Sequence, residues 1–198
     1  MSLGLMTDKV IVRSLQSSIA VKQQLLADEQ YQAQVVSLGI ATANALACGH
    51  KVIFFGNGGS AADAQHLAAE LSGRYMMERP GLAGLTLTSN TSSLTAIGND
   101  YSFDMVFARQ LEALGHAGDV AVGISTSGTS SNVVRAMKCA RSKGMITAAL
   151  TGKTGGALLS QVDYCIRIPS DSTPRIQEAH ILTGHILCEI IEHELFAK

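Results

Sequence analysis

His66 and Glu70 stand four positions apart in the stretch Asp63-Ala-Gln-His-Leu-Ala-Ala-Glu70, a spacing that sets two side chains side by side on one helix face. An imidazole and a carboxylate so placed can move protons or bind a metal, or they can simply line a solvated face; spacing alone leaves both readings open. Near the other end of the chain, Gln177 and His185 are eight positions apart, about 80° around a helix axis, and so share a broad face. His185 lies within an apolar stretch, where a histidine is either a hydrogen-bonded core residue or a functional group. His180 projects elsewhere and His193 sits near the chain end, so both read as capped or solvated histidines.

A second kind of chemistry is written in the loops. The apolar runs 51–55 and 119–124 each end in glycine-rich turns, and the second turn is crowded with hydroxyls: Ser125-Thr126-Ser127-Gly128-Thr129-Ser130-Ser131. A buried strand that ends in small polar residues and opens a helix leaves several N–H groups unpaired and aimed at one point, where the helix dipole favours negative charge. Hydroxyls of Ser125, Thr126, Ser127 and Ser130 would complete a phosphate shell there. With almost no cations in the loop, the site suits a phosphate monoester on a small molecule better than a polyanionic nucleic acid. A sugar phosphate or similar metabolite is the expected ligand. Two motifs are rejected on spacing: 151–156 lacks the Walker pattern, and Gly56-Asn57-Gly58-Gly59 carries alanine at position 61, where a dinucleotide fingerprint requires glycine. Asn99-Asp100 reads as an ordinary turn or as a reach toward sugar hydroxyls.

The elements that must position these groups follow from the hydrophobic pattern. Helices are expected over 7–27, with Thr7 as cap, and over 29–47, ended by Gly49. Strand-loop-helix units then recur: strand 51–55 with helix 61–72, strand 82–87 with helices 91–97 and 104–114, strand 119–124 with helix 132–143, strand 145–150 with helix 155–160, and a fifth strand at 164–168. A long helix over 174–195 closes the chain, apolar on several faces and so packed against the domain or another subunit. Continuously apolar strands separated by helices indicate an α/β fold, a three-layer α-β-α sandwich on a five-stranded parallel sheet, with ligands at the carboxyl ends of the strands. The 198 residues, 46% hydrophobic and 16% charged, suffice for one core and argue for a single domain over 1–198. A net charge of −1 gives no electrostatic footprint for nucleic acid or an anionic membrane. The N-terminus lacks a signal-peptide pattern and no run spans a bilayer, so a cytoplasmic location is expected. The four cysteines, far apart, read as reduced and mostly buried thiols.

Taken together, Gly56-Asn-Gly-Gly-Ser60, His66-x-x-x-Glu70-Leu-x-Gly-Arg74-Tyr75, Gly98-Asn99-Asp100, Gly123-Ile-Ser-Thr-Ser-Gly128 and Arg175-Ile-Gln177-Glu178 with His185 resemble the phosphoheptose isomerases of the sugar isomerase (SIS) domain superfamily. The resemblance runs from the N-terminal helices to the last helix. It implies a flavodoxin-like SIS fold, a homotetramer with active sites at subunit boundaries into which residues 1–49 pack as a helical extension, and an early step toward the heptose of lipopolysaccharide core. By position it implies substrate contacts from Asn57, Gly58, Gly59, Asn99, Asp100 and Gln177, a phosphate held by Ser125, Thr126, Ser127 and Ser130, and a zinc site of His66, Glu70, Gln177 and His185. Glu70, also a substrate contact, and His185 would be the proton-transfer pair. Ala69 departs from the second acidic residue that many of these isomerases carry there. A relative that binds the replication initiator is similar around 114–119 and 175–183, and makes an interaction module the alternative; it lacks the groups matching Glu70 and His185, which are present here.

Overall fold

The computed structural model describes residues 2–197. Five strands, β1 (Val52–Gly56), β2 (Gly84–Thr86), β3 (Val120–Ser125), β4 (Ile146–Thr151) and β5 (Tyr164–Arg167), form one sheet in the order β2-β1-β3-β4-β5, and every neighbouring pair is parallel. The helices are α1 (Ser2–Ala27), α2 (Glu29–Ala47), α3 (Gly59–Ser72), α4 (Thr91–Asp100), α5 (Val106–Leu114), α6 (Ser131–Ser142) and α7 (Thr173–Phe196).

The alternation of side chains along a strand divides the interior into two cores. Val52, Phe54, Val120, Val122, Leu150 and Ile166 face α2, α3 and α7, whereas Ile53, Phe55, Ala121 and Ala149 face α5 and α6. Both faces are covered, which is why β1 and β3 are buried at every residue and read as unbroken apolar runs. The sandwich is the expected one. It positions a site because the chain leaves β1 for one face and β3 for the other, which opens a crevice at their carboxyl ends.

Several expected boundaries move for physical reasons. Helix α1 is under way at Ser2, and Thr7 lies inside it rather than capping it. Strand β2 shrinks to three residues at the sheet edge. In place of a helix over 155–160 there is only a 3-10 turn, Gly156–Leu158, because Gly155 and Gly156 both take positive φ (73° and 54°), which ends any right-handed helix. Asn99 and Asp100 belong to the last turn of α4, where the Tyr101 N–H donates to Ile97 O at 3.0 Å. Of the cysteines, Cys165 and Cys188 are buried, Cys139 is half-buried and Cys48 is exposed. No helix among the described residues is long and apolar enough to cross a membrane.

His180 corrects the expectation of a solvated side chain. It is fully buried and its Nε2 lies 3.1 Å from Thr151 O at the end of β4. Burial pushes its pKa down to about 4, against a smaller upward pull from that carbonyl. The unfolded chain therefore binds a proton between about pH 6.5 and 4 that the fold does not, so stability attributable to this residue is complete above pH 6.5 and lost as pH falls to about 4, roughly 3 kcal/mol in all. Urea unfolding across that range should show a smaller pH dependence for His180→Gln than for the native chain. At Gly184 a Cβ would lie 2.5 Å from Leu67 Cδ2; Gly184→Val is expected to lower unfolding stability by about 1–3 kcal/mol through overpacking of α7 on α3, a loss read from the same urea titration.

Candidate active site and metal centre

Helices α3 and α7 meet along a seam that tolerates no bulk. A Cβ at Gly59 would sit 2.5 Å from Gln177 Nε2, and one at Gly184 would strike Leu67. Because the two helices approach so closely, side chains one helical turn apart on α3 face those of α7. His66 and Glu70 are paired at 2.9 Å between Nε2 and Oε1, His66 half-exposed and Glu70 more enclosed. The His185 ring lies edge-on to His66 with centroids 5.0 Å apart. Tyr75, from the turn after α3, stacks on His185 at 5.4 Å and 23°. One donor atom from each of His66, Glu70 and His185 lies within 4.8 Å of the others. His185 Nε2 is buried without a hydrogen-bond partner, so it is free to accept a cation or a substrate proton. Two imidazole nitrogens and a carboxylate form a donor set that fits a divalent ion of the zinc class. Gln177 stands on the same seam, against Gly59.

Groups around the cluster are tuned by their surroundings. Burial pushes the Asp63 carboxyl up, partly offset by His66, and Asp63 Oδ2 has no hydrogen-bond partner. Burial, with Glu70 and Glu192 nearby, pushes the Cys188 thiol up to about 12, so it stays protonated and is no thiolate ligand or nucleophile. The Tyr75 phenol is raised by burial first and then by the acidic side chains around it, and stays protonated.

The glycine-rich loops meet at the crevice between β1 and β3. Asn57, after β1, and Asn132, in the first turn of α6, exchange two amide hydrogen bonds of 2.9 Å, which lock the loops together across the switch point. Ser125 and Ser130 hydroxyls are 2.9 Å apart, and Ser127 Oγ accepts from the Thr129 N–H and hydroxyl. Helices α2 and α4 are capped by Asp28 and Asn90 side chains, but α3, α6 and α7 have no side-chain cap at Gly58, Ser130 and Ser172. In α3 the Ser60 and Ala61 N–H groups already bond to Asn57 O and Gly58 O, and in α6 the Val133 N–H bonds to Asn132 Oδ1; the N–H groups of Ser131 and Asn132 at the start of α6 are the ones left for a ligand. Beside Thr126 and Ser127 opens a cleft of about 230 Å³ that also includes Lys153, Thr154 and Asp171. A larger cleft of about 630 Å³, bordered by Thr86, Asn90, Arg109 and Gln110, includes none of the cluster. Asn99 and Asp100 are exposed and bond each other at 3.0 Å; among the described residues no hydrogen bond joins them to the α3–α7 cluster.

Two participants escaped the sequence reading. Tyr75 is named in a motif but given no role, and Asn132 shows only as a helix-start asparagine. The signal for each is its partner, His185 or Asn57, which is remote in sequence.

A family model described as SIS domain matches residues 15–152. The phosphoheptose isomerase of Aneurinibacillus thermoaerophilus is 50% identical over 182 residues, covering 92% of this chain and 92% of that protein. Among solved structures, the phosphoheptose isomerase GmhA of Neisseria gonorrhoeae superimposes with a TM-score of 0.87 at 43% identity, covering 93% of this chain and 99% of that one. The Francisella tularensis phosphoheptose isomerase does so with a TM-score of 0.89 at 38% identity, over 94% and 98%. These relatives favour the isomerase over the interaction module. The chain belongs to the SIS-domain family and, within it, to the phosphoheptose isomerases.

Proposed function

We propose that this chain interconverts a ketose and an aldose phosphate, turning sedoheptulose 7-phosphate into D-glycero-D-manno-heptose 7-phosphate through an enediol, a step toward lipopolysaccharide core heptose. The observation that carries the reading is the convergence of Glu70 from α3 and His185 from α7 beside an open helix N-terminus, in a chain half identical to a phosphoheptose isomerase.

The phosphate would rest on the first-turn N–H groups of α6 and the hydroxyls of Ser125, Thr126, Ser127 and Ser130, fixing one end of the substrate so that its carbonyl end meets the seam. Asn57, Gly58, Gly59, Asn99, Asp100 and Gln177 would contact the sugar. The Glu70 carboxylate takes the proton from C1 as His185 delivers one to the C2 carbonyl oxygen, and the electron pair of the broken C–H bond becomes the C1–C2 double bond. Glu70 then returns its proton to C2 while His185 removes the one on O1, leaving the aldehyde at C1. A carboxylate for carbon and an imidazole for oxygen divide the work by basicity. His66, Glu70, Gln177 and His185 would hold a zinc ion, which when bound supplies Lewis-acid polarisation of substrate oxygens.

A homotetramer is supported by apolar side chains that α1 and α2 leave in solvent: Val10, Leu15, Ile19 and Leu26 on the first, Val36 and Ile40 on the second. Buried against a second copy, residues 1–49 would become an assembly element of one single-domain subunit. A cytoplasmic location fits a phosphorylated substrate.

In deuterium oxide, proton NMR of sedoheptulose 7-phosphate with the native chain should show label entering the aldose at C2. Glu70→Gln is expected to lower turnover by about 10²-fold or more, and undiminished exchange at C1 would refute the role of Glu70. For the metal, zinc added to chelator-treated protein is expected to raise the melting temperature of the native chain and not of His66→Ala or His185→Ala; an equal rise in all three would move the ion elsewhere.

A further inference from the structure

Glu192, near the end of α7, and Arg79, in the segment after α3, form an ion pair at 3.0 Å whose side chains are each 1% exposed. Glu192 accepts the N–H groups of Tyr75, Met76 and Met77 at 3.0, 2.9 and 2.8 Å in addition to Arg79 Nε. Burial pushes the Glu192 carboxyl up, but these N–H groups and the guanidinium outweigh it and hold the carboxyl below the usual range. Arg79 spends its remaining donors on carbonyls: Nη1 on Leu71, Gly73 and Pro80, and Nη2 on Glu70 at 2.8 Å. Two dry charges are thus satisfied almost entirely by main chain, which is how a side-chain pair fixes the path of a loop.

Both side chains of the proposed proton-transfer pair hang on this clamp. Arg79 grips the carbonyl of Glu70 itself. Glu192 grips the N–H of Tyr75, whose ring lies on His185. With its Nε2 making no hydrogen bond, the His185 imidazole is set by ring packing, Tyr75 on a face and His66 at an edge.

We propose that Arg79 and Glu192 are positioning residues of the isomerase: the buried pair sets the Tyr75 ring against His185, holds the main chain at Glu70, and so fixes the separation of carboxylate and imidazole. The inference rests on the assignment of Glu70 and His185 as the proton-transfer pair. The full chain, metal-free and labelled at histidine carbons, serves for NMR of the His185 ring, and kcat and KM are measured in parallel. Glu192→Gln and Arg79→Lys retain Tyr75, so any change in its ring current at the His185 Cε1–H reports that the ring has moved. Both variants are expected to displace that resonance, leave the remote His50 signal in place, and lower kcat about tenfold to a hundredfold with KM changed less than about twofold. Tyr75→Phe, which keeps the ring, is expected to behave as the native chain, and Tyr75→Leu to lose kcat as the clamp variants do. An unmoved His185 resonance or unchanged kcat in a folded Glu192→Gln or Arg79→Lys overturns the proposal. Should neither clamp variant fold, native kcat in Tyr75→Leu overturns it and a kcat lost in Tyr75→Leu and kept in Tyr75→Phe upholds it. Glu70→Gln in the same assay separates the two layers: turnover that survives it removes the underlying assignment, whereas turnover lost there and kept in Glu192→Gln removes the clamp alone.

Discussion

The close approach of α3 and α7 is the constraint on which the rest depends. Gly59 against Gln177 and Gly184 against Leu67 bring together two helices separated by more than half the chain. Only across that seam do His66, Glu70 and Tyr75 gain His185 as a neighbour. The sheet makes the approach possible. Parallel strands place the starts of α3 and α6 along one edge, and α7 runs back over the face on which Val52, Phe54 and Leu150 supply the apolar floor. The proposed proton-transfer and phosphate sites would thus be neighbours by topology rather than by a dedicated domain.

Charge is handled in two ways. Two fully buried carboxylates are saturated: Asp119 meets Lys51 Nζ at 2.6 Å and the N–H groups of His116 and Lys51, tying the amino ends of β1 and β3, and Glu192 meets Arg79 and three main-chain N–H groups. Burial pushes the Asp119 carboxyl up, yet the Lys51 ammonium and those N–H groups outweigh it and hold it below the ordinary range. Where a ligand is expected, the donors are neutral instead: N–H groups and hydroxyls at the uncapped start of α6. A site of dipoles favours a compact monoester over a polyanion, because it offers directed donors without the charge density that a nucleic-acid backbone rewards. Lys153, ion-paired with Asp171 at 3.8 Å beside this loop, is the nearby exception.

Sequence made the layers legible because both sheet faces are buried, so β1 and β3 carry no polar interruption. The His66–Glu70 pair was legible as well, since helix periodicity alone sets it on one face. His185 declared itself by its apolar neighbours, but projection around the helix axis misled for His180, whose partner, Thr151 O, lies at the end of β4, invisible to a helical wheel. The glycine pair 155–156 was read as opening a helix and instead forbids one. The Asn57–Asn132 lock and the Arg79–Glu192 clamp span 75 and 113 positions, and nothing local distinguishes Asn132, Arg79 or Glu192 from surface polar residues. Tertiary partners give such groups their meaning, and periodicity does not encode them.

The central claim is that Glu70 and His185 act as one unit on one bound sugar phosphate. A double-mutant cycle on kcat/KM with Glu70→Gln, His185→Asn and the combined variant tests it most directly. If the two serve one proton-transfer sequence, the double variant should lose no more than about what the worse single variant loses. Losses that multiply across the cycle would mean that the two groups work independently, and the shared seam would then be architecture rather than machinery.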